Sequence, residues 1–421
     1  MDLSMRQSKW KWILVVPLTL FGMCMAGYLL LVLAYSISTE RMQEEMRESV
    51  RIFVTETGAY TPAGKQLDNF TDSLMLLTAS HPNGENPWKD AIRVPQFRSN
   101  DMEPTQLLID MFSGQETEKQ EVSYGRYWHG YLIFLKPLLA IFSYSQIRDI
   151  LSMVQIGLFM VVVLLLAKRE KYYHSIGIFL FWLVMNPIAG MLSLQYSSLL
   201  ILTFIAMAGI LVMDSVWEED MKRWMLFFLV MGGLTSYLDL LTFPVVTLGI
   251  PLILWLSLGQ SGQRSKIRNL LGCSFFWALG YGGLWAEKWL LGTWITKESV
   301  WKDALGAVQY RMASSNNGIP FTWQTVLEKQ IEYFRNPPVD LFILFTITVL
   351  AALILAKKIR LKLNGQMAAA YGMIAVYPFL WYGLVKNHSF VHFWFTYRNL
   401  SVTFFAVCMF VIGCIENGNR K

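Results

Sequence analysis

The chain has 421 residues, of which 54% are hydrophobic and 16% are charged. An ordinary soluble domain carries about 25% charged residues, so this composition excludes a soluble enzyme, a disordered chain and a disulfide scaffold. The net charge of +6 lies in short Lys and Arg clusters between apolar runs, a pattern of membrane proteins and not of nucleic-acid binding. These runs are continuous and about 20 residues long, which predicts transmembrane helices and not a membrane barrel.

The first predicted transmembrane helix covers residues 13–35 and follows Arg6, Lys9 and Lys11, which predicts a cytoplasmic N-terminus. Its apolar run is longer than that of a signal peptide. Nine further helices are predicted at residues 147–167, 175–191, 196–213, 224–240, 243–258, 270–290, 339–356, 367–385 and 400–415. The sequence therefore predicts an all-α polytopic membrane protein with about ten transmembrane helices.

The basic clusters give these helices an orientation. If both termini are cytoplasmic, every cluster falls on the cytoplasmic side, and the short outer turns at 192–195 and 241–242 carry no Lys or Arg. The clusters after the first helix are Lys168, Arg169 and Lys171; Lys222 and Arg223; Arg264, Lys266 and Arg268; Lys357, Lys358, Arg360 and Lys362; and Arg420 and Lys421. We therefore expect a multi-pass protein of the cell membrane with both termini in the cytoplasm.

This topology divides the chain into five segments. They are the cytoplasmic N-terminus with the first helix (1–35), a large extracytoplasmic loop (36–146), helices two to seven (147–290), a second extracytoplasmic loop (291–338), and helices eight to ten with an outer loop at 386–399 (339–421). Within the first loop, residues 67–79 have the apolar spacing of an amphipathic surface helix. Residues 130–142 are too short to span and contain Pro137, which predicts a re-entrant or surface-lying segment.

Three acidic residues are candidates for catalysis. Asp72 lies on the predicted surface helix, Glu40 is the first acid after the first helix, and Asp239 stands at the outer end of two tightly joined helices. A carboxylate at membrane level is costly unless it is paired or functional, and it can act as a general base. The alternatives are a solvated acid at Asp72, a capping or interface charge at Glu40 and a helix cap at Asp239.

No metal ligand is assigned, because no recognised metal-binding motif is present. Asp68 and Asp72 are four residues apart on one helical face, so the cofactor is left open, with a divalent cation as the candidate. The four cysteines all fall in apolar runs, which predicts buried thiols instead of a zinc site or disulfides. Glu287 and Lys288 are predicted to form an ion pair at the membrane interface.

The candidate substrate-binding residues lie in the outer segments. Arginine binds phosphate in a bidentate manner, aromatic rings pack on sugar faces, and clustered cations suit a lipid-linked phosphate. The alternative is an interfacial aromatic belt with snorkelling cations and, at residues 386–399, a wet loop. The candidates are Arg126 and His129 in YGRYWHGY, Gln195 in SLQYSS, and His388, His392 and Arg398 in residues 385–398. Asp72 and Asp239 are predicted to line one outer cavity with residues 386–398.

In its layout the chain resembles the GT-C superfamily of membrane glycosyltransferases. The resemblance rests on one helix entering from the cytoplasm, a large outer loop with surface helices, and a string of helices joined by tight turns. The phrases TDSLML, YGRYWHGY, SLQYSS, YLDLLTFP and NHSFVHFWFTYR also look like those of a family of bacterial multi-span membrane proteins. GT-C members often carry an acidic pair after the first helix, where this chain has only Glu40, so either Glu40 or Asp72 fills that role, and Asp72 is favoured.

The resemblance implies an enzyme that moves a sugar from a polyprenyl-phosphate carrier to an acceptor on the outer face of the membrane. The expected partners are the polyprenyl-phosphate-linked sugar and membrane lipid, with no nucleic acid, and protein partners are unknown. Three alternatives stay open. They are a transporter or flippase for lipid-linked saccharides or small solutes, a surface-polysaccharide polymerase or ligase, and a noncatalytic scaffold.

Overall fold

The computed structural model describes residues 3–56, 66–218, 220–259, 267–335, 337–356 and 358–417. Over these residues helices dominate, and the strands form three antiparallel pairs of two to four residues each. The all-α fold class is confirmed for this part of the chain. Of the predicted cytoplasmic clusters, Arg264, Lys266, Lys357, Arg420 and Lys421 lie outside the described residues.

The first third of the chain is one long helix followed by a folded region of short elements. These are α1 (Leu3–Tyr35), α2 (Glu40–Thr55), α3 (Asn69–Ala79), α4 (Pro87–Arg93), β1 (Pro95–Arg98), α5 (Pro104–Phe112), β2 (Gln120–Ser123) and α6 (Leu132–Leu139). Strand β1 pairs with β2 in the register Pro95 to Ser123. The described residues of the region predicted as the first outer loop, 36–56 and 66–146, thus form an ordered structure.

This region has its own apolar core. Met42, Met46 and Phe53 follow one face of α2 at helical spacing and are fully buried, together with Leu76 of α3 and Trp128. Helix α3 packs against α5, α6 and α10 (Leu194–Trp217). The helix predicted at 67–79 is therefore present, but it is enclosed by protein. The alternative of a solvated Asp72 is wrong, because the neighbouring helices cover that face.

The middle of the chain consists of longer helices. They are α7 (Tyr144–Lys168), α8 (Tyr172–Val184), α9 (Pro187–Leu192), α10, α11 (Met221–Leu238), α12 (Val245–Leu258) and α13 (Ile267–Thr296). The helix predicted at 175–191 is divided between α8 and α9 at Asn186, which has a φ of 56°. The Asn186 side chain accepts a hydrogen bond from the Ala189 N–H and caps α9, and Pro187 occupies the first helical position.

The last third begins with two helices predicted outside the membrane and ends with a helix pair. The elements are α14 (Val300–Met312), β3 (Ser315–Asn316), β4 (Ile319–Pro320), α15 (Trp323–Phe334), α16 (Pro337–Leu355), β5 (Ile359–Leu361), α17 (Gly365–Ala375), α18 (Tyr377–Leu384), α19 (Lys386–Val391), α20 (Phe393–Thr396), a 3-10 turn (Tyr397–Asn399), α21 (Leu400–Cys414) and β6 (Ile415–Asn417). Strand β5 pairs with β6.

Several helices have the dimensions of membrane spans. Five segments of the described chain are long and apolar enough to cross a membrane, and three shorter helices are also apolar. The five are Leu14–Tyr35, Tyr144–Lys168, Leu194–Trp217, Gly365–Leu384 and Phe393–Cys414. Large apolar side chains such as Leu18, Leu164 and Leu344 stand exposed on α1, α7 and α16. These features agree with a multi-pass membrane protein, and the number of ten spans and their orientation stay predictions.

The backbones of helices α11 and α13 pack directly against each other. A Cβ atom at Gly232 would lie 1.9 Å from the Trp277 carbonyl oxygen, and one at Gly280 would lie 2.0 Å from the Leu229 carbonyl oxygen. Only glycine fits at both positions, because a backbone carbonyl in a helix cannot move aside. This crossing fixes the end of α11, where Asp239 follows.

Candidate functional site

Asp72 joins α3 to the beginning of α10. Its side chain is fully buried and accepts hydrogen bonds from the Tyr144 hydroxyl at 2.5 Å, the Ser193 hydroxyl at 3.0 Å and the Leu194 N–H at 3.0 Å. A carboxylate at a helix N-terminus is stabilised by the unpaired N–H groups and the helix dipole. Burial raises the pKa of Asp72, and the nearby Arg148 and these donors oppose the rise. The contacts give Asp72 a structural role, and its catalytic role stays a prediction.

Asp68 caps the helix that carries Asp72. Its Oδ1 accepts a hydrogen bond from the Thr71 N–H at 3.2 Å, and its buried Oδ2 has no hydrogen-bond partner in the described chain. Burial and then the charge of Asp72 raise the pKa of Asp68 from 3.8 to about 6. Ionisation of Asp68 at neutral pH therefore lowers the free energy of unfolding.

We expect Asp68→Asn to change how the free energy of unfolding depends on pH. The pKa of Asp68 is higher in the folded than in the unfolded chain, so its stabilising contribution is complete below about pH 4 and is lost as pH rises through about 6. The variant keeps an Ncap oxygen and should be about 2–3 kcal/mol more stable than wild type at neutral pH.

Thermal unfolding of both proteins across this pH range checks that prediction. The exposed turn residue Asp101 offers a matched control, Asp101→Asn, which should follow the wild-type profile. Identical profiles for Asp68→Asn and wild type would show that the Asp68 carboxyl is not perturbed.

Gln195 connects Asp72 to Asp239. Its backbone N–H lies 3.5 Å from Asp72 Oδ1, and its side-chain Nε2 donates to Asp239 Oδ1 at 3.1 Å. Asp239 Oδ1 also accepts from the Thr242 N–H at 2.8 Å and the Thr242 hydroxyl at 2.6 Å. These last contacts hold the turn between α11 and α12, here called the Asp239 turn, as the cap alternative predicts for Asp239. Two acids 167 positions apart in numbering are thus joined through one glutamine.

The Asp239 turn extends this connection to the last outer segment. Leu241 in the turn has a φ of 70°, which is uncommon for a residue with a branched side chain. Its carbonyl oxygen accepts a hydrogen bond from His388 Nε2 at 2.6 Å. The candidates Asp72, Gln195, Asp239 and His388 therefore belong to one continuous network.

Three other candidates, Arg398, His129 and Glu40, make no hydrogen bond to this network within the described chain and do not line the cavity described below. Arg398 is fully buried, with its guanidinium carbon 3.9 Å from the centre of the Tyr196 ring, and donates to the carbonyls of Met185 and Trp394 at 3.1 Å each. His129 is buried, and burial lowers its pKa to about 3. Glu40 is the exposed first residue of α2.

A cavity of about 460 Å³ brings together three segments that the sequence predicts outside the membrane. Its wall comes from Arg126 of the first loop, from α14 in the second loop and from α19 with His392 in the third. The charged and titratable lining residues are Arg126, Lys302, Asp303, Arg311, His388 and His392. Asp72 and Asp239 are not among the lining residues, so the predicted shared cavity is wrong for these two acids, because each is turned into a helix end or a turn.

The cavity has an excess of fixed positive charge. Asp303 pairs with Arg126 at 3.1 Å, while Lys302 and Arg311 add two further cations. Burial lowers the pKa of His388 well below its ordinary value, and burial with Arg311 lowers that of His392 to about 4. Both histidines are therefore uncharged at neutral pH, and the positive charge comes from the arginines and the lysine.

The residues of α14 were not predicted from the sequence. Asp303, Ala307 and Arg311 recur every four residues and all line the cavity. That spacing places them on one face of a helix, which is the signal that could have identified them. The sequence gives no signal of which other segment this face of α14 contacts.

No group of three or more His, Cys, Asp or Glu side chains within the described ranges is arranged to hold a metal ion. Comparison with protein-family models, with curated proteins and with solved structures gives no match for this chain. The site must therefore be interpreted from its own geometry.

Proposed function

We propose that the chain is an integral membrane glycosyltransferase that moves a sugar from a polyprenyl-phosphate carrier to an acceptor on the outer face of the cell membrane. The observation that carries this proposal is the cationic cavity. Arg126, Lys302 and Arg311 line it from two segments far apart in sequence. Arginine and lysine are the side chains that recognise phosphate, and their excess over the single acid Asp303 suits an anionic ligand.

For this transfer the protein has to position the two substrates and stabilise the charge that develops on the leaving phosphate. An acceptor hydroxyl attacks the anomeric carbon, the bond from that carbon to the phosphate oxygen breaks, and the electron pair leaves with the carrier phosphate. Negative charge then grows on the phosphate, and preorganised cations stabilise it. In this proposal Arg311 and Lys302 face that phosphate, while Asp303 holds the Arg126 guanidinium in place.

In this proposal the carboxylates of Asp72 and Asp239 act through other groups. Asp239 shapes the turn whose Leu241 carbonyl holds His388 Nε2, so Asp239 is a positioning residue in this proposal. Asp72 holds the N-terminus of α10, from which Gln195 reaches Asp239. Neither carboxylate is required to touch the substrate.

A lipid carrier reaches such a site from the bilayer. The lining segments α14 and α19 connect to the apolar helices α13 and α21, and these outer segments were predicted on the extracytoplasmic side from the basic clusters. Under the proposal the carrier chain stays among the lipids while the phosphate enters the cavity.

A lipid analysis of cells that lack the protein tests the proposal. We expect a polyprenyl-phosphate-linked sugar to accumulate in the outer leaflet, where membrane-impermeant periodate oxidises it, and to disappear when the wild-type chain is restored. Accumulation in the inner leaflet would instead indicate a flippase. No accumulation at all would contradict both functions.

A further inference from the structure

We propose that His392 is the catalytic base of this transfer, and that it takes the proton of an acceptor hydroxyl bound in a second lobe of the same cavity. The inference rests on the proposed function. It assigns the proton-accepting step to a residue that the network of buried carboxylates does not include.

The second lobe is a cavity of about 390 Å³ that shares two lining residues with the first. Arg126 and His392 line both lobes, so they form the boundary between them. The walls of the second lobe come from α3, β1 and α5, with apolar side chains such as Phe70 and Phe97. An acceptor in this lobe and a donor phosphate in the cationic lobe would meet at His392.

Stacking holds the His392 ring in place and leaves its ring nitrogens available to a substrate. It stacks on Phe395 with ring centres 5.2 Å apart and planes 12° apart, and its centre lies 4.8 Å from that of His388. Among the described residues neither ring nitrogen of His392 has a hydrogen-bond partner, and Nδ1 is buried. His388, in contrast, is bound to the Leu241 carbonyl oxygen.

The groups around His392 keep its imidazole neutral, which is the form that can accept a proton. The charged and titratable groups that line the two lobes with it are Arg126, Lys302, Asp303, Tyr310 and Arg311 in the first, Arg98, Glu103 and Tyr124 in the second, and His388 on its own segment. The pKa of about 4 leaves His392 neutral at physiological pH and gives it the base strength of a carboxylate. A phosphate bound beside Arg311 would raise this pKa, which favours proton acceptance.

The carboxylates near the junction are less suited to this step. Asp303 is bound to Arg126, and Glu103 is an exposed residue that lines the second lobe alone. During transfer the acceptor oxygen forms its bond to the anomeric carbon and its proton passes to His392. The bond to the phosphate oxygen breaks, and its electron pair leaves with the carrier phosphate. The imidazolium then faces this anion and afterwards gives its proton to water.

The test uses His392→Gln and His392→Asn, which keep a polar side chain but cannot accept the proton. The substrate is the carrier-lipid fraction from cells that lack the protein, and the binding probe is polyprenyl monophosphate. We expect turnover to fall about 10²–10⁴-fold in both variants while affinity for the probe is unchanged. The acidic limb of the wild-type pH–rate profile should also disappear.

His81→Gln is the matched control, because His81 is a buried histidine of the outer region that lines neither lobe. Wild-type turnover in His392→Gln, or loss of turnover in Glu103→Gln alone, would overturn the assignment. Parallel loss of probe binding and turnover would make His392 a binding residue and also overturn it. If the wild-type chain neither binds the probe nor consumes the lipid fraction, the proposed function itself fails.

Discussion

Arg311→Met is expected to lower turnover of the carrier-linked sugar by about 10²–10³-fold, the usual effect of removing one preorganised donor from a charged transition state. Arg311 lines the cavity from α14, and the hydrogen bond that its guanidinium makes is to the Ala307 carbonyl oxygen at 3.3 Å within the same helix. The substitution keeps most of the side-chain volume, so the fold should survive it. Arg311→Lys keeps the charge without the planar fork and should retain part of the activity.

Purified protein supplied with the carrier-lipid fraction provides this measurement. Arg51 on α2 is an exposed arginine outside the cavity, so Arg51→Met removes the same charge and serves as the control. Equal turnover in Arg311→Met and Arg51→Met would show that the charge of the cavity plays no part in the reaction.

Asp72→Ala is expected to lower the free energy of unfolding by about 3–5 kcal/mol, because each buried donor left without its acceptor costs about 1–3 kcal/mol. The Leu194 N–H, the Ser193 hydroxyl and the Tyr144 hydroxyl would all lose their acceptor. The buried ion pair of Arg148 with Glu56 at 2.7 Å lies beside Tyr144 and would lose a neighbouring charge. Little folded protein should therefore be recovered.

Thermal unfolding in detergent separates this structural role from the catalytic role predicted for Asp72. Asp72→Asn keeps one oxygen acceptor and should be less destabilised than Asp72→Ala. Glu40→Ala removes an exposed acid of the same region and should change stability by less than about 0.5 kcal/mol. A stable but inactive Asp72→Asn would instead support Asp72 as the base.

The fold class could be predicted because hydropathy is a local property. Each predicted span coincides with a helix or a pair of helices, and the break at Asn186-Pro187 is visible in the sequence. Tertiary burial could not be predicted in this way. The spacing of residues 67–79 predicts a surface helix, but α5, α6 and α10 enclose it through contacts that no local pattern encodes.

The same limit applies to the charged side chains. The ion pair predicted between Glu287 and Lys288 is wrong, because Lys288 is fully buried and its Nζ donates to the Ala91 and Ile92 carbonyls at 3.1 Å. These carbonyls end α4, where a cation is favourable. The helix pattern predicts which side chains share a face, but the partner of that face lies almost 200 residues away in the chain.

In the candidate site, sequence could identify the segments but not their meeting point. The basic clusters predict that the loops holding Arg126, Arg311 and His388 lie on one side of the membrane. The wall that they form together depends on how the helices pack. Asp72 and Asp239 stand out in the sequence because a carboxylate at membrane level is costly, and the structure uses both to hold a helix end or a turn.

The proposed function requires the cationic cavity to bind the phosphate of a polyprenyl carrier. The most direct test is the binding of polyprenyl monophosphate to the purified chain in lipid nanodiscs, for wild type, Arg311→Met and Arg51→Met. We expect saturable binding to wild type and Arg51→Met that weakens with salt, and its loss in Arg311→Met. Equal binding to all three proteins, or none to wild type, would contradict the claim.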